Sequence, residues 1–98
     1  MPLYVALVKM TGQGASKIRD LASEYAKWKK YADTQGFKPI AAVACFGEYD
    51  FVFVAEYPND AAALKAAGYA VALGDVQVQT LPACQLEDFF KAMKELPR

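Results

Sequence analysis

The fold is decided by the stretch Cys45-Phe46-Gly47-Glu48-Tyr49-Asp50-Phe51-Val52-Phe53-Val54-Ala55, in which two apolar runs flank a short polar turn. Apolar residues dominate 39–46 before the turn and fill 51–55 after it. Neither run alternates between apolar and polar residues, as a strand with one solvated face would. The pattern predicts a β-hairpin with both faces buried.

The turn of this hairpin, residues 47–50, contains the first candidate ligand-binding residues. Gly47 is expected to supply unusual backbone angles, Glu48 and Tyr49 to form the tip, and Asp50 to hydrogen-bond to local amides. Gly and Asp serve many turns for structural reasons alone. The turn is therefore interpreted either as simple hairpin closure or as a ligand-binding edge formed by Gly47, Glu48, Tyr49 and Asp50.

Composition limits the number of domains, the partners and the cellular location that can be expected. The chain has 98 residues, 55% of them hydrophobic and 22% charged, which is typical of one globular domain covering residues 1–98. Eleven basic and eleven acidic residues give a net charge of zero, so no overall field attracts nucleic acid or an anionic membrane. Residues 1–9 lack a basic region and their apolar run is short for a signal or a membrane span, which predicts a cytoplasmic protein. Two cysteines give no support for a disulfide framework.

The first half of the chain predicts a strand and a long helix. Both alternating sets of side chains in residues 3–8 are apolar, which predicts a strand covered on both faces. Thr11 is predicted to cap the helix that follows, and Gly36 to end it in the left-handed conformation. Apolar residues repeat between them at spacings of three and four. They are Ile18, Leu21, Tyr25, Trp28 and Ala32.

Aromatic residues in this half are the second set of candidate ligand-binding residues. Tyr25 and Trp28 are interpreted as core or as the lining of a pocket between helix and sheet, because a buried indole N–H needs a partner. Tyr4 is a further candidate for that pocket. The lysines at 27, 29 and 30 favour a solvated helix face over a nucleic-acid surface.

The second half predicts a helix, a strand and a terminal helix. Pro58-Asn59-Asp60 starts an alanine-rich helix over 61–73, which Gly74 ends. Gly68 within it indicates tight packing or space for a ligand. Residues 76–81 alternate as an edge strand closed by Pro82, and a helix over about 85–96 carries one apolar face.

The order strand, helix, strand, strand, helix, strand predicts an α+β, ferredoxin-like sheet with both main helices on one face. The opposite face is also apolar, and exposing each such side chain costs roughly 1.5–3 kcal/mol. A homodimer or larger homo-oligomer, packed sheet to sheet, is therefore expected.

The chain resembles the GYD-domain family over nearly its full length. The matching motifs are Pro2-Leu3-Tyr4-Val5-Ala6-Leu7-Val8, Thr11-x-x-Gly14, Gly47-Glu48-Tyr49-Asp50, Pro58-Asn59-Asp60, Gly74 and Leu86-Glu87-Asp88-Phe89. The resemblance implies a dimeric α/β barrel and no particular activity. Cys84 departs from it, because a larger apolar residue is expected there. The hairpin is also similar to the effector-binding domain of Lrp/AsnC-type regulators, which implies a small-molecule ligand held between subunits.

The predicted function is therefore the binding of a small molecule. The alternative is a cofactor-free monooxygenase or isomerase of the dimeric α/β-barrel type. A structural interaction protein is the third hypothesis. The chain contains no histidine, which excludes a Ser-His-Asp triad, a Cys-His pair, a haem with a proximal histidine and the usual histidine-rich metal sites. No cofactor or metal site is predicted. The candidate residues for acid–base chemistry are Asp50, Glu48 and Tyr49, together with Tyr4 and Tyr25 if these two line a pocket.

Overall fold

Four antiparallel strands form one sheet in the computed structural model, which describes residues 1–98. The strands lie in the order β2-β3-β1-β4, so that β1 and β3 are central. This topology confirms the predicted α+β, ferredoxin-like class. The elements are β1 Leu3–Met10, α1 Gly12–Ser16, α2 Leu21–Thr34, β2 Lys38–Ala44, β3 Phe51–Glu56, α3 Asp60–Ala72, β4 Val76–Ala83 and α4 Leu86–Lys94.

The register of the central strands places one set of side chains under the helices. β1 pairs with β3 from Leu3–Glu56 to Val8–Phe51, and with β4 from Leu3–Ala83 to Met10–Val76. Because side chains alternate along a strand, Tyr4 and Val8 share one face, and both are buried. The alternate set, which includes Val5 and Val54, lies on the opposite face of the sheet. We call this opposite face the open face, since no helix covers it.

The core lies between the helices and the sheet and is rich in alanine. Trp28 on α2 donates its indole N–H to the carbonyl of Ala66 on α3 at 2.8 Å, which joins the two helices. The small side chains of α3 allow this close approach. The main buried cluster consists of Tyr4, Ala32, Phe37, Ala55, Tyr57, Ala62, Ala63 and Ala66.

Helix ends follow the local signals in the sequence. The Thr11 hydroxyl accepts from the Gly14 N–H, and the Asn59 side chain accepts from the Ala62 N–H at 2.9 Å. Gly36 and Gly74 end α2 and α3 with φ angles of +78° and +84°, in the left-handed region that favours glycine.

The predicted continuous helix after Thr11 is wrong. α1 ends at Ser16, residues 18–20 form a 3-10 turn, and only then does α2 begin. The backbone N–H of Thr11 donates to the Asp75 carbonyl at 3.0 Å, which holds α1 beside the start of β4. The chain must then turn at Lys17 to bring α2 over the sheet. Ile18 consequently lies outside the core stripe and is 58% exposed.

The prediction that both faces of the hairpin are buried is also wrong for the single chain. All seven residues of β2 are exposed, and Phe46 after it is fully exposed. β2 is an edge strand with β3 as its only neighbour, and its register shifts between Pro39 and Ala41. The side chains of β3 are only partly buried, apart from Ala55.

The terminal helix α4 extends from the end of β4 without burying any of its residues. Its apolar face remains exposed, and the molecule measures 53 × 31 × 18 Å. None of the helices combines the length and apolar character needed to cross a bilayer. The exposed apolar residues are Leu86, Phe89, Phe90, Met93 and, just beyond the helix, Leu96.

Candidate functional site

A cavity of about 390 Å³ separates the sheet from α2 and α3. Of its 21 lining residues, 18 are hydrophobic, which makes it suited to an apolar guest. We call it the aromatic cavity. Its aromatic residues are Tyr4, Tyr25, Trp28, Phe37, Phe51, Phe53 and Tyr57.

Small residues on α3 leave this space open. Ala63, Ala67 and Ala70 line the cavity at spacings of four and three, which places them on one side of the helix. The facing residues of β1 and β3 include the larger Tyr4 and Phe53. Gly68, which was predicted to mark tight packing or ligand space, does neither: a Cβ built there meets no atom within 4 Å, and the residue is exposed.

The aromatic rings form flat walls. Tyr25 on α2 lies parallel to Phe53 on β3, with an interplanar angle of 5° and centroids 6.0 Å apart. Trp28 meets Phe37 edge to face at 5.0 Å. Both arrangements are ones that aromatic pairs prefer.

Two of the four polar groups on these aromatic residues are hydrogen-bonded to the protein. The Trp28 N–H is bonded to Ala66, and the Tyr4 hydroxyl donates to the Asp60 carboxylate. That hydrogen bond, with burial and the Asp60 charge, raises the pKa of Tyr4. Burial, with a smaller effect of nearby Tyr25, raises the pKa of Tyr57 to about 12. Both phenols are therefore neutral hydrogen-bond donors at neutral pH.

A buried carboxylate marks one end of the cavity. Asp75 is 4% exposed, and its Oδ1 accepts from Gln13 Nε2 at 3.1 Å and lies 3.4 Å from Lys17 Nζ. Its other oxygen, Oδ2, is buried without a hydrogen-bond partner. Burial alone would raise the pKa of Asp75, but hydrogen bonds from Gln13 and Lys17, together with the Lys17 charge, lower it below its usual value. A side-chain hydrogen bond with the Glu24 carboxyl acts in the same direction, and Glu24 also lines the cavity.

The 47–50 turn departs from two local expectations, although the Asp50 carbonyl closes the hairpin by accepting from the Cys45 N–H at 2.7 Å. Gly47 does not adopt a positive φ, and a Cβ on it would meet no atom within 4 Å. Asp50 does not bond within the turn through its side chain; its Oδ2 accepts from the Met10 N–H at 2.8 Å. Its own N–H donates to the Val8 carbonyl at 2.8 Å. Asp50 therefore fastens the hairpin to the end of β1.

The tip of the turn lies over the open face. The Tyr49 hydroxyl is 3.1 Å from Oε1 of Gln79 on β4. Glu48 and Tyr49 line a second, shallow cavity of about 300 Å³ with Leu7, Lys9 and Gln79. This cavity contains mostly polar residues and lies on the side of the sheet opposite the aromatic cavity.

The seven predicted site residues thus fall into separate places. Tyr4, Tyr25 and Trp28 line the aromatic cavity, Glu48 and Tyr49 line the shallow cavity, and Gly47 and Asp50 line neither. Sequence reasoning missed Asp75, Glu24, Phe37 and Tyr57. The signal for Asp75 was a lone carboxyl between the Gly74 helix end and the apolar start of β4. Of the two free cysteines, Cys45 is partly buried and Cys84 is exposed.

Comparison with known proteins gives a family without an activity. The family model described as GYD domain matches residues 4–93, which covers nearly the whole chain and confirms the predicted resemblance. Neither the curated proteins nor the solved structures contain a significant match.

Proposed function

The chain belongs to the GYD domain family, and from this premise we propose that it is a homo-oligomeric protein that binds a small, largely apolar molecule in the aromatic cavity. The observation that carries the proposal is the cavity itself: about 390 Å³, with 18 hydrophobic residues among 21. This volume lies within the range of small-molecule sites, roughly 300–1,000 Å³.

The state of three candidate groups supports the binding proposal. Tyr4 and Tyr25 were candidates for acid–base chemistry, but the Tyr4 hydroxyl is already bonded to Asp60. The Trp28 N–H, which could have oriented a substrate, is bonded to Ala66. Asp50, the first carboxylate candidate, lies outside the aromatic cavity. Tyr4 and Trp28 therefore have their polar groups engaged in holding the cavity walls together.

Ligand binding can be tested with the fluorescence of Trp28, the single tryptophan, which lines the cavity. Methylindane, a compact apolar bicycle, should change this fluorescence saturably. Ala67→Leu, which fills the cavity from α3, should abolish the change. Ala72→Leu, the same substitution at an exposed position of the same helix, is the matched control and should bind as the wild type does.

Native mass spectrometry of protein purified from its own host provides an independent test, since a retained molecule would appear as a fixed mass increment. The increment should be absent from Ala67→Leu and present in Ala72→Leu. If neither methylindane nor a retained molecule occupies the wild-type cavity, the binding proposal fails.

The proposed oligomer forms through the open face. Val5, Val54 and Leu7 are only partly buried there, Val43 is 56% exposed and Leu81 is 38% exposed. Covering such side chains stabilises a complex by roughly 1.5–3 kcal/mol for each one fully buried. A second copy supplies the same apolar face by two-fold symmetry.

Sedimentation equilibrium tests this assembly, with Val54→Glu as the disruptive variant. Val54 lies on the central strand β3, so a charge there should prevent packing of two open faces and yield a monomer. Val71→Glu is the control, because Val71 is exposed on the outer side of α3. A wild-type protein that stays monomeric at high concentration would refute the oligomer.

A further inference from the structure

Tyr57 lines the aromatic cavity with a hydroxyl group that has no partner in the protein. We propose that the molecule bound in the aromatic cavity carries an uncharged oxygen acceptor, such as a ketone or ether oxygen, to which the Tyr57 hydroxyl donates a hydrogen bond. This inference rests on the binding function proposed above and adds one polar point to an otherwise apolar ligand.

The Tyr57 side chain is buried, but its hydroxyl group is unsatisfied. The residue is 6% exposed, and its phenol oxygen makes no hydrogen bond to any other group of the chain. That oxygen is still accessible, because the one unpartnered side-chain atom that is sealed from solvent is Oδ2 of Asp75. Buried polar groups in native proteins are almost always hydrogen-bonded. An occupant of the cavity is therefore placed to supply the partner that the Tyr57 hydroxyl lacks.

The path of the chain after β3 directs Tyr57 into the cavity. Phe53 and Ala55 line the cavity, and every second residue of an extended chain points to the same side. Tyr57 is the next in this series, and its N–H donates to the Pro2 carbonyl at 3.2 Å beyond the end of the strand. Tyr25, on α2, is close enough to contribute to the raised pKa of Tyr57. The two phenol groups therefore lie in the same part of the cavity.

The ring of Tyr57 is held so that its hydroxyl cannot turn away. Tyr4 packs on it edge to face with ring centroids 5.8 Å apart, and Phe37 packs on it at 5.6 Å. The phenol oxygen lies on the long axis of the ring, so a ring flip leaves its position unchanged. Only rotation about χ1 would move the oxygen, and the two packed rings oppose that rotation. The donor is therefore presented at a fixed point.

The surroundings of Tyr57 favour an uncharged acceptor. The lining residues include no lysine or arginine, so a ligand carboxylate would lose water without gaining a cation. The two acidic lining residues, Asp75 and Glu24, hydrogen-bond to each other and offer an anion no attraction. Burial raises the pKa of Tyr57 to about 12, so the phenol keeps its proton at neutral pH. Tyr57 is therefore available as a neutral donor.

Methyleneindane and indanone test the inference, because they share the same fused rings and differ in one group. The first has a C=CH₂ group where the second has a C=O group of similar size. Isothermal titration calorimetry measures both probes on the wild type and on Tyr57→Phe. The substitution should weaken indanone about fivefold, as loss of a neutral hydrogen bond does, and leave methyleneindane within about twofold. Comparing the two proteins for each probe cancels the cost of removing the ketone from water.

Tyr69→Phe is the matched control, since Tyr69 stacks on Tyr31 and does not line the cavity. It should bind both probes as the wild type does. If Tyr25→Phe weakens indanone and Tyr57→Phe does not, Tyr25 is the donor and the proposed role of Tyr57 is refuted. Indane carboxylate serves as the anionic probe. If it binds more tightly than indanone, the acceptor is charged and the inference is again refuted.

Unfolding of the protein without added probe tests the unsatisfied hydroxyl separately. At neutral pH, Tyr57→Phe should unfold at the same urea concentration as the wild type or at a higher one. Phenylalanine keeps the ring, and the hydroxyl that it lacks has no partner to lose. A lower midpoint would reveal a partner for Tyr57 inside the protein and overturn the inference.

The outcomes separate this inference from the proposed function. If methyleneindane binds and Tyr57→Phe changes its affinity and that of indanone by the same factor, the inference is refuted while the binding function stands. If no probe binds to the wild type, the binding function itself fails and the inference with it. Should Tyr57→Phe fail to fold, the infrared C=O stretch of indanone bound to the wild type decides the question. A hydrogen-bonded carbonyl absorbs at lower frequency than indanone in hydrocarbon solvent, and an unshifted band would refute the inference.

Discussion

Gly14 is the residue where the backbone of α1 meets the start of β4. A Cβ built on Gly14 would lie 2.0 Å from the carbonyl oxygen of Asp75, which is backbone and cannot swing aside. We expect Gly14→Ala to lower the free energy of unfolding by about 2–4 kcal/mol through this overlap. Urea unfolding monitored by circular dichroism measures the change.

Gly68→Ala is the matched control for Gly14→Ala. Gly68 also lies in a helix, but a Cβ there meets nothing within 4 Å. We expect Gly68→Ala to raise the free energy of unfolding by about 0.5–1 kcal/mol, because alanine favours a helix over the unfolded chain. Similar effects from the two substitutions would contradict the close contact between α1 and Asp75.

Tyr57 makes stability sensitive to alkaline pH. The pKa of Tyr57 is about 12 in the folded protein and 10.0 in its ordinary state. Between these values the unfolded chain releases the phenol proton while the folded chain retains it, so the free energy of unfolding falls as the pH rises. This stabilisation is fully present below the unfolded pKa. Tyr57→Phe removes the group and should flatten the dependence.

Urea unfolding at about pH 9 and about pH 11 tests the Tyr57 prediction, because these values bracket the ordinary tyrosine pKa. The wild-type protein should lose more stability between them than Tyr57→Phe does. The remaining tyrosines are common to both proteins and cancel in the difference. Equal losses would mean that Tyr57 titrates in the folded state as it does in the unfolded chain.

At the scale of elements, Asp50 determines how the β2–β3 hairpin is attached to β1. Asp50→Ala removes the acceptor for the partly buried Met10 N–H and should cost about 1–2 kcal/mol. Asp50→Asn retains an acceptor oxygen and should cost less than about 1 kcal/mol. Tyr49→Phe, which loses only an exposed contact with Gln79, should stay within about 0.5 kcal/mol of the wild type. Thermal unfolding of the three variants measures these differences.

A different ranking would change the interpretation of the turn. If Asp50→Asn proved as damaging to assembly or ligand binding as Asp50→Ala, while its unfolding remained close to that of the wild type, the charge of Asp50 would be acting on a ligand or a second subunit. That outcome would support the 47–50 turn as a ligand-binding edge.

Some elements could be predicted from sequence because their signals are local. The Asn59 cap and the Gly74 end lie within a few residues of α3, and the helix forms where they indicate. The break at Lys17 could not be predicted, because it depends on contacts between α1 and Asp75, about sixty residues along the chain. The importance of Asp75 was missed for the same reason. Its burial and its unpartnered oxygen arise only when α1, α2 and β4 come together.

At the scale of the whole molecule, α4 is the main unpartnered element. Nine residues are too few for a stable isolated helix, since about 12–15 are needed even for good helix formers. Phe89 and Phe90 are 47% and 53% exposed on the single chain. We expect α4 to be stabilised by packing on the second copy in the proposed oligomer.

A double substitution tests the role of α4. Phe89→Gln with Phe90→Gln should raise the dissociation constant of the oligomer at least about tenfold, as loss of buried aromatic anchors does. Lys91→Gln with Lys94→Gln changes two basic residues of the last turn of the same helix and should leave assembly intact. Sedimentation velocity across a dilution series measures both. Unchanged assembly after the phenylalanine substitutions would exclude α4 from the interface.

The alanine-lined side of α3 has a consequence for how the cavity of this protein can be altered. The sheet and α2 supply fixed aromatic walls, while Ala63, Ala67 and Ala70 fill little of the space opposite them. A single nucleotide change can convert an alanine codon into one for valine, which would narrow the cavity without disturbing the strands. If the proposed ligand binds there, ligand preference can evolve, or be engineered, through one helix face while the scaffold stays constant.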